Sequence, residues 1–270
     1  MKPDSAAATI ETHGLTRRFG SFTAVDHLDL AVQAGAVCGL LGANGAGKTT
    51  TIRMLTTLLR PGAGDAQVAG FDIRRAPREV RQHIGYVPQM ISADGALSGR
   101  ENLMLSASLY SLPSRQRRDR VAEALDDMGL AGVADHLVRT YSGGMIRRLE
   151  LAQAMLHQPR VLFLDEPTIG LDPVARRTFR EQLAKIHAES GMTILLSTHD
   201  MDEADALCTM VAMMHQGRLV ATGTPDALKA AVGPDATLED VFAHFSGGAI
   251  EPGGGYRDVQ RVRGTAHRLG

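Results

Sequence analysis

Apolar residues come in two kinds of run along this chain, and their succession outlines an α/β core. Short runs read as strands: Thr9 to Leu15 and Thr23 to Leu30, with Arg17-Arg18-Phe19-Gly20 between them, then Val37 to Leu41 and Gln67 to Gly70. Ile84-Gly85-Tyr86-Val87-Pro88-Gln89 reads as strand then loop, because proline cannot continue a central ladder, and this places Gln89 on a loop. Helices are expected over Thr50 to Leu59, which stops before Arg60-Pro61-Gly62, and over Pro77 to Gln82. From Gly99 to His157 the pattern turns helical throughout. Arg100 to Tyr110 carries Leu103, Leu105, Leu109 and Tyr110 on or near one face. Ser114 to Met128 carries Val121, Ala122, Leu125 and Met128, starts with Ser114 as cap and ends at Gly129. Strand spacing returns at Val161 to Leu164, Thr193 to Ser197, Val211 to His215 and Arg218 to Thr222. The last two meet at the hairpin turn Gln216-Gly217. Helices at Val174 to Ser190 and Pro225 to Val232 complete the pattern, and an all-helical insert between two halves of an α/β core accounts for it.

Between the apolar run ending at Leu41 and the helix that follows lies Gly42-Ala43-Asn44-Gly45-Ala46-Gly47-Lys48-Thr49. Glycines there let several backbone N–H groups converge on one anion at the positive end of a helix. In the pattern G-x-x-x-x-G-K-[ST], strand before and helix after, the lysine reaches the outer phosphates and the hydroxyl binds Mg²⁺. These roles fall to Lys48 and Thr49. The chain has only four lysines, Lys2, Lys48, Lys185 and Lys229, and otherwise uses arginine, so a lysine at this point is a chosen residue.

A second set of polar residues closes the later strands. Asp165-Glu166-Pro167 ends an apolar strand, where two acids are costly unless they meet a cation or do chemistry. The carboxyl end of a parallel strand is also where ligands bind. The division of labour is Asp165 on Mg²⁺ and Glu166 polarising the attacking water. His199 falls at the end of the next strand, within reach of a γ-phosphate or that water. Ser142-Gly143-Gly144 opens a helix and reads either as a glycine-flanked N-cap or as a second anion site. Phe19, one of seven phenylalanines, can stack on a nucleotide base or lie under a β-hairpin.

Composition narrows the field. A formal net charge of -1 gives no support to a nucleic-acid binder held by bulk charge. Two cysteines, Cys38 and Cys208, sit in apolar segments with no metal or disulfide spacing, which fits buried thiols in a reducing compartment. The longest run free of strongly polar residues, Ala34 to Ala43, is about half of the roughly 20 residues a spanning helix needs, and no signal peptide is expected. Any membrane role then comes through a partner.

Taken together, these motifs resemble the ATP-binding subunits of ABC transporters over roughly residues 8–245. Gly42 to Thr49 matches the Walker A motif, Gln89 the Q-loop, Ser142-Gly143-Gly144 the signature and Val161 to Glu166 the Walker B strand. Gly170-Leu171-Asp172 matches the D-loop and His199 the switch histidine. The resemblance implies a P-loop NTPase core with a mainly parallel sheet, an N-terminal antiparallel β subdomain and an inserted α-helical subdomain. It places the ATP-binding domain at 8–225, with the helical insertion at about 90–157, and a C-terminal helix and flexible basic tail at 226–270. It implies ATP and Mg²⁺ as cofactors: ATP on Phe19, Gly42, Ala43, Asn44, Gly45, Ala46, Gly47, Lys48, Thr49, Thr50, Gln89, Ser142, Gly143 and Gly144, and metal on Thr49, Gln89 and Asp165. Glu166, His199 and Lys48 are the catalytic set. It further implies two subunits head to tail, each ATP lying between Lys48 of one and Ser142 of the other, and a transmembrane permease subunit that holds the chain on the cytoplasmic face of the membrane.

Tyr141 and Met145 depart from the commonest signature, Leu-Ser-Gly-Gly-Gln. With Arg147-Arg148 and Thr237-Leu238-Glu239-Asp240-Val241-Phe242 they look like the drug-resistance (daunorubicin-exporter) subfamily, which implies export of a drug, antibiotic or lipid-like molecule. A soluble ABC-type ATPase without a membrane partner stands as the alternative. A small-molecule kinase fits less well because Glu166 favours water as acceptor, and a non-hydrolysing adaptor would have no use for Glu166 and His199. The tail from Ser246 to Gly270 can contact a partner, anionic lipid or nothing.

Overall fold

Two sheets of different character divide the chain in this computed structural model, which describes residues 8–247. The chain enters through a long hairpin, β1 (Ala8–Phe19) and β2 (Phe22–Gln33), then runs through β3 (Val37–Leu41), α1 (Lys48–Leu55), β4 (Ala63–Val68), β5 (Phe71–Asp72), α2 (Pro77–His83) and β6 (Ile84–Val87). The helical stretch is α3 (Gly99–Leu109), α4 (Ser114–Asp127) and α5 (Gly143–Met155). Then come β7 (Val161–Asp165), α6 (Pro173–Ser190), β8 (Thr193–Thr198), α7 (Met201–Leu207), β9 (Met210–His215), β10 (Arg218–Gly223), α8 (Pro225–Val232) and α9 (Leu238–Phe245).

The first sheet is antiparallel, in the order β2-β1-β4-β5; the second has six strands in the order β10-β9-β3-β8-β7-β6. Within the second, every pairing from β9 to β6 is parallel and only β10 is antiparallel. β3 and β7 are buried along their whole length, as expected of parallel strands covered on both faces. One apolar core lies between the two sheets around α1, with Ile52 and Leu55 against Leu40 and Phe163. The other joins the opposite face of the six-stranded sheet to the inserted helices. This is the α/β architecture that the motifs imply.

Several local expectations are corrected. β1 runs through Arg17-Arg18-Phe19 to the hairpin tip, so these residues are strand and not connector. α1 stops at Leu55, short of Leu59, and Thr57 then takes φ +63°. Ser114 is not a cap: α4 is preceded by Pro113, with no side-chain cap bond. The expected apolar face of α3 is divided, since Leu103 is fully buried while Leu105 and Leu109 are exposed. α7 has no counterpart among the expected elements; Asp200 caps it by accepting the Glu203 N–H at 2.9 Å. Cys38 and Cys208 are buried free thiols. Nearly all of the basic tail falls outside the described residues.

Candidate functional site

β3 ends at Leu41, and the loop that follows is shaped by two glycines with no room for a side chain. Gly42 has φ +151°, and a Cβ there would lie 2.3 Å from the Met214 carbonyl oxygen. Gly47 has φ +105°, and a Cβ would lie 2.5 Å from the Ala24 carbonyl oxygen. Gly47 is also the residue that caps α1, so the loop delivers its backbone onto a helix N-terminus. Lys48, 5% exposed, folds back across the loop. Its Nζ donates to the Gly42 carbonyl at 2.7 Å and lies 3.1 Å from Glu166 Oε1.

The floor is built by the ends of β7 and β8. Asp165, 1% exposed, accepts through Oδ1 from Thr49 Oγ at 3.0 Å and from Ser197 Oγ at 2.7 Å. Its Oδ2 is buried and has no protein donor. A buried carboxylate oxygen left without a donor is costly, and a hard cation is the natural group to fill it. Among the described residues no cluster of three or more His, Cys, Asp or Glu could hold a metal by itself. Thr49 and Asp165 therefore fit Mg²⁺, which takes few protein ligands and completes its shell from phosphates and water.

Glu166 follows in a left-handed conformation, φ +49°, uncommon for a residue with a side chain. Its N–H donates to both the carbonyl (3.2 Å) and the hydroxyl (3.0 Å) of Ser197, which holds that conformation. The carboxylate is shared: Oε1 meets Lys48, and Oε2 accepts from His199 Nδ1 at 2.8 Å. A carboxylate only accepts, so Nδ1 carries the proton and Nε2 is left for another partner. His199 is half exposed where Glu166 is buried, which leaves the imidazole edge open to solvent.

Residues 43–50 line a cavity of about 360 Å³ with Phe22, Ala24, Gln89 and Glu166. Gly42, Asp165 and His199 are not in this lining, but each hydrogen-bonds a residue of it: Lys48, Thr49 and Glu166 respectively. Two larger cavities, of about 900 and 890 Å³, are lined by none of these residues. Phe19 is absent from the lining; its ring is 4.8 Å from the Arg17 guanidinium at the hairpin tip, and Phe22, its cross-strand neighbour, lines the cavity instead. Ser142, Gly143 and Gly144 are likewise absent. Ser142 caps α5, its Oγ accepting from the Met145 N–H at 3.3 Å, while Met145 Sδ accepts from the Ser142 N–H at 3.5 Å. The thioether thus takes the place an amide or carboxylate has in a capping box.

Ser197 is the main residue that sequence reasoning missed. The signal available in the sequence was a hydroxyl directly after the apolar run Ile194-Leu195-Leu196, a position the structure buries fully.

The description "ABC transporter" belongs to the family model that matches residues 25–169. A daunorubicin/doxorubicin resistance ATP-binding protein of Streptomyces peucetius is 46% identical over 224 residues, covering 83% of this chain and 68% of its own length. The Nod factor export ATP-binding protein I of Burkholderia lata is 41% identical over 249 residues, covering 88% and 82%. Among solved structures, an ATP-binding subunit of an ABC transporter superposes with a TM-score of 0.79 at 28% identity, covering 88% of this chain and 99% of its own. A Clostridium perfringens subunit described as part of an ABC transporter complex superposes at 0.76 and 28%, covering 83% and 91%.

Proposed function

We propose that this chain, which belongs to the ABC transporter family as an ATP-binding, ATP-hydrolysing subunit, powers an exporter of drugs, antibiotics or lipid-like molecules through a separate transmembrane permease. The observation that carries the reading is the position of Glu166 between Lys48 and His199 at the edge of the loop cavity.

The loop N–H groups and Lys48 bind the phosphates of ATP. When Lys48 moves its contact from Glu166 Oε1 to a phosphate oxygen, that carboxylate oxygen is released to accept a proton from water. The water attacks the γ-phosphorus, the bond to the β-phosphate oxygen breaks, and ADP leaves with the electron pair. His199 keeps Glu166 oriented through Oε2 and offers Nε2 toward the γ-phosphate. Thr49, Asp165 and Gln89 would hold Mg²⁺, which supplies neutralising charge to the β- and γ-oxygens. Phe22, with or without Phe19, supplies the flat surface for the adenine.

The absence of Ser142-Gly143-Gly144 from this cavity supports a two-copy arrangement, in which the α5 N-terminus of one copy, or of a paralogue, meets the ATP held by the other. For the permease, a groove of about 890 Å³ lies where the inserted helices meet the core, lined by Leu58, Arg78, Arg81, Leu109 and Tyr110. Leu109 is 75% exposed and Met90, beside Gln89, is 80% exposed. Exposed apolar residues of this kind, at the groove and beside Gln89, suit contact with a membrane-protein segment. No helix among the described residues is long and apolar enough to cross a membrane, so peripheral attachment at the cytoplasmic face follows from that partner.

Glu166→Gln tests the chemistry. It keeps the side-chain volume, and turnover is expected to fall about 10²- to 10⁴-fold while ATP binding persists and the protein accumulates as an ATP-bound dimer. Wild-type turnover in this variant overturns the assignment. Expression with its transmembrane permease is expected to move the chain into the membrane fraction; recovery on ribosomes would overturn the permease partner.

A further inference from the structure

One buried ion pair plays no part in this chemistry. Arg147 and Glu150, 5% and 2% exposed, lie one turn apart on α5, with Arg147 Nη1 2.8 Å from Glu150 Oε2. A pair taken out of water is tolerated only when its remaining donors and acceptors are also satisfied. Here they are satisfied from one place, the loop that follows β6. Arg147 donates through Nη1 to the Pro88 carbonyl at 2.8 Å and through Nη2 to the Gln89 carbonyl. Glu150 Oε1 accepts from both the main-chain N–H and the hydroxyl of Ser92, the latter at 2.9 Å. Among the described residues, no main-chain hydrogen bond joins residues 88–92 to α5, so these two side chains make the polar link. Further along, Asn102 on α3 holds Asp94 through both its amide groups, at 2.9 and 3.0 Å.

Gln89 is therefore gripped on both sides by the helix that Ser142 caps. From Ser142 to Arg147 is about 7.5 Å along a helix axis, a distance a single helix carries as a rigid rod. Arg147 suits this task better than lysine, since its planar fork reaches two carbonyls and a carboxylate together.

We infer that the buried Arg147–Glu150 pair is a clamp that makes the Gln89 loop and α5 move as one body, so that nucleotide contact at Gln89 in one copy sets the position of Ser142-Gly143-Gly144 offered to the other. Both are positioning residues. The inference rests on the two-copy reading above.

The test uses the Glu166→Gln protein as parent and adds Arg147→Met with Glu150→Leu, because replacing both members of a buried pair by apolar residues of similar size is often neutral for stability. The expected result is an ATP dissociation constant within about threefold of the parent, with the ATP concentration for half-maximal dimerisation raised at least tenfold. Hydrogen exchange is expected to lose the ATP-induced protection at 88–92 and 142–146 together. Ser92→Ala, on the exposed loop, keeps the test alive if the double substitution unfolds, and is expected to raise the same midpoint at least twofold. Dimerisation at the parent's midpoint overturns the clamp, as does loss of ATP affinity in step with loss of dimerisation. If the parent itself stays monomeric with ATP, the two-copy reading fails and the clamp falls with it.

Discussion

Ser197→Ala removes a single hydroxyl from beneath the proposed metal site. In the folded protein that hydroxyl donates to Asp165 Oδ1 at 2.7 Å and accepts from the Glu166 N–H at 3.0 Å. The Glu166 N–H keeps the Ser197 carbonyl as acceptor at 3.2 Å, so it is not orphaned. The cost is therefore mainly that of the bond to Asp165, whose Oδ2 already has no donor. A hydrogen bond to a charged group contributes about 1.5–3 kcal/mol. For a chain of this size that converts to a melting temperature lower by about 3–6 °C. A loosened Asp165 also predicts weaker Mg²⁺ use, since loss of a residue that orients a ligand typically costs about 10- to 100-fold in metal affinity or activity. Thermal melts without nucleotide read the first effect, and ATPase rates over a Mg²⁺ titration read the second. A melting temperature within about 1 °C of wild type, together with an unchanged Mg²⁺ midpoint, would refute this account of the floor.

Two further predictions concern the loop and the core. Gly47→Ala puts a Cβ 2.5 Å from the Ala24 carbonyl oxygen at φ +105°, so it is expected to lower stability by at least about 2 kcal/mol in urea unfolding and to weaken ATP binding. Burial pushes the Cys38 thiol up to about 12 from 9.0 and also raises Cys208, so the neutral thiol belongs to the folded state. That stability is complete below pH 9 and lost as pH rises toward the folded value, by up to about 1.4 kcal/mol per pH unit for each thiol. Burial raises Tyr86, Tyr110 and Tyr141 from 10.0 in the same sense, so the window from pH 9 to 10 reads the thiols, and Cys38→Ala should flatten urea midpoints there.

The polar ends of the buried strands were the most legible part of this chain. Gly42 to Thr49, Asp165, Glu166 and His199 follow apolar runs, where a polar group needs a reason. The structure places them within hydrogen-bond reach of one another or of a shared neighbour. What stayed hidden depended on geometry that neighbouring residues do not encode. Phe19 and Phe22 are equivalent in local sequence, and only the extension of β1 to the hairpin tip puts Phe22 on the cavity and Phe19 beside Arg17. Leu105 and Leu109 obey helical spacing, yet both are exposed, Leu109 at the groove proposed for the permease. Nothing in the local sequence of Arg147 and Glu150 signals burial, and their partners lie in a loop more than fifty residues earlier in the chain. Met145 leaves the signature short of an amide, but its sulfur still accepts the Ser142 N–H.

In the two-copy arrangement proposed above, Lys48 and Ser142 serve one ATP from two different copies. Mixing equal amounts of Lys48→Ala and Ser142→Ala proteins tests it directly, since each alone forms dimers with both sites broken. In a two-fold dimer of one of each, one site receives intact Lys48 and intact Ser142, so the mixture is expected to hydrolyse ATP at up to about a quarter of the wild-type rate, well above either variant alone. A mixture no faster than the mean of its two components would contradict the account, because it would mean that Ser142 acts on the ATP of its own chain or on none.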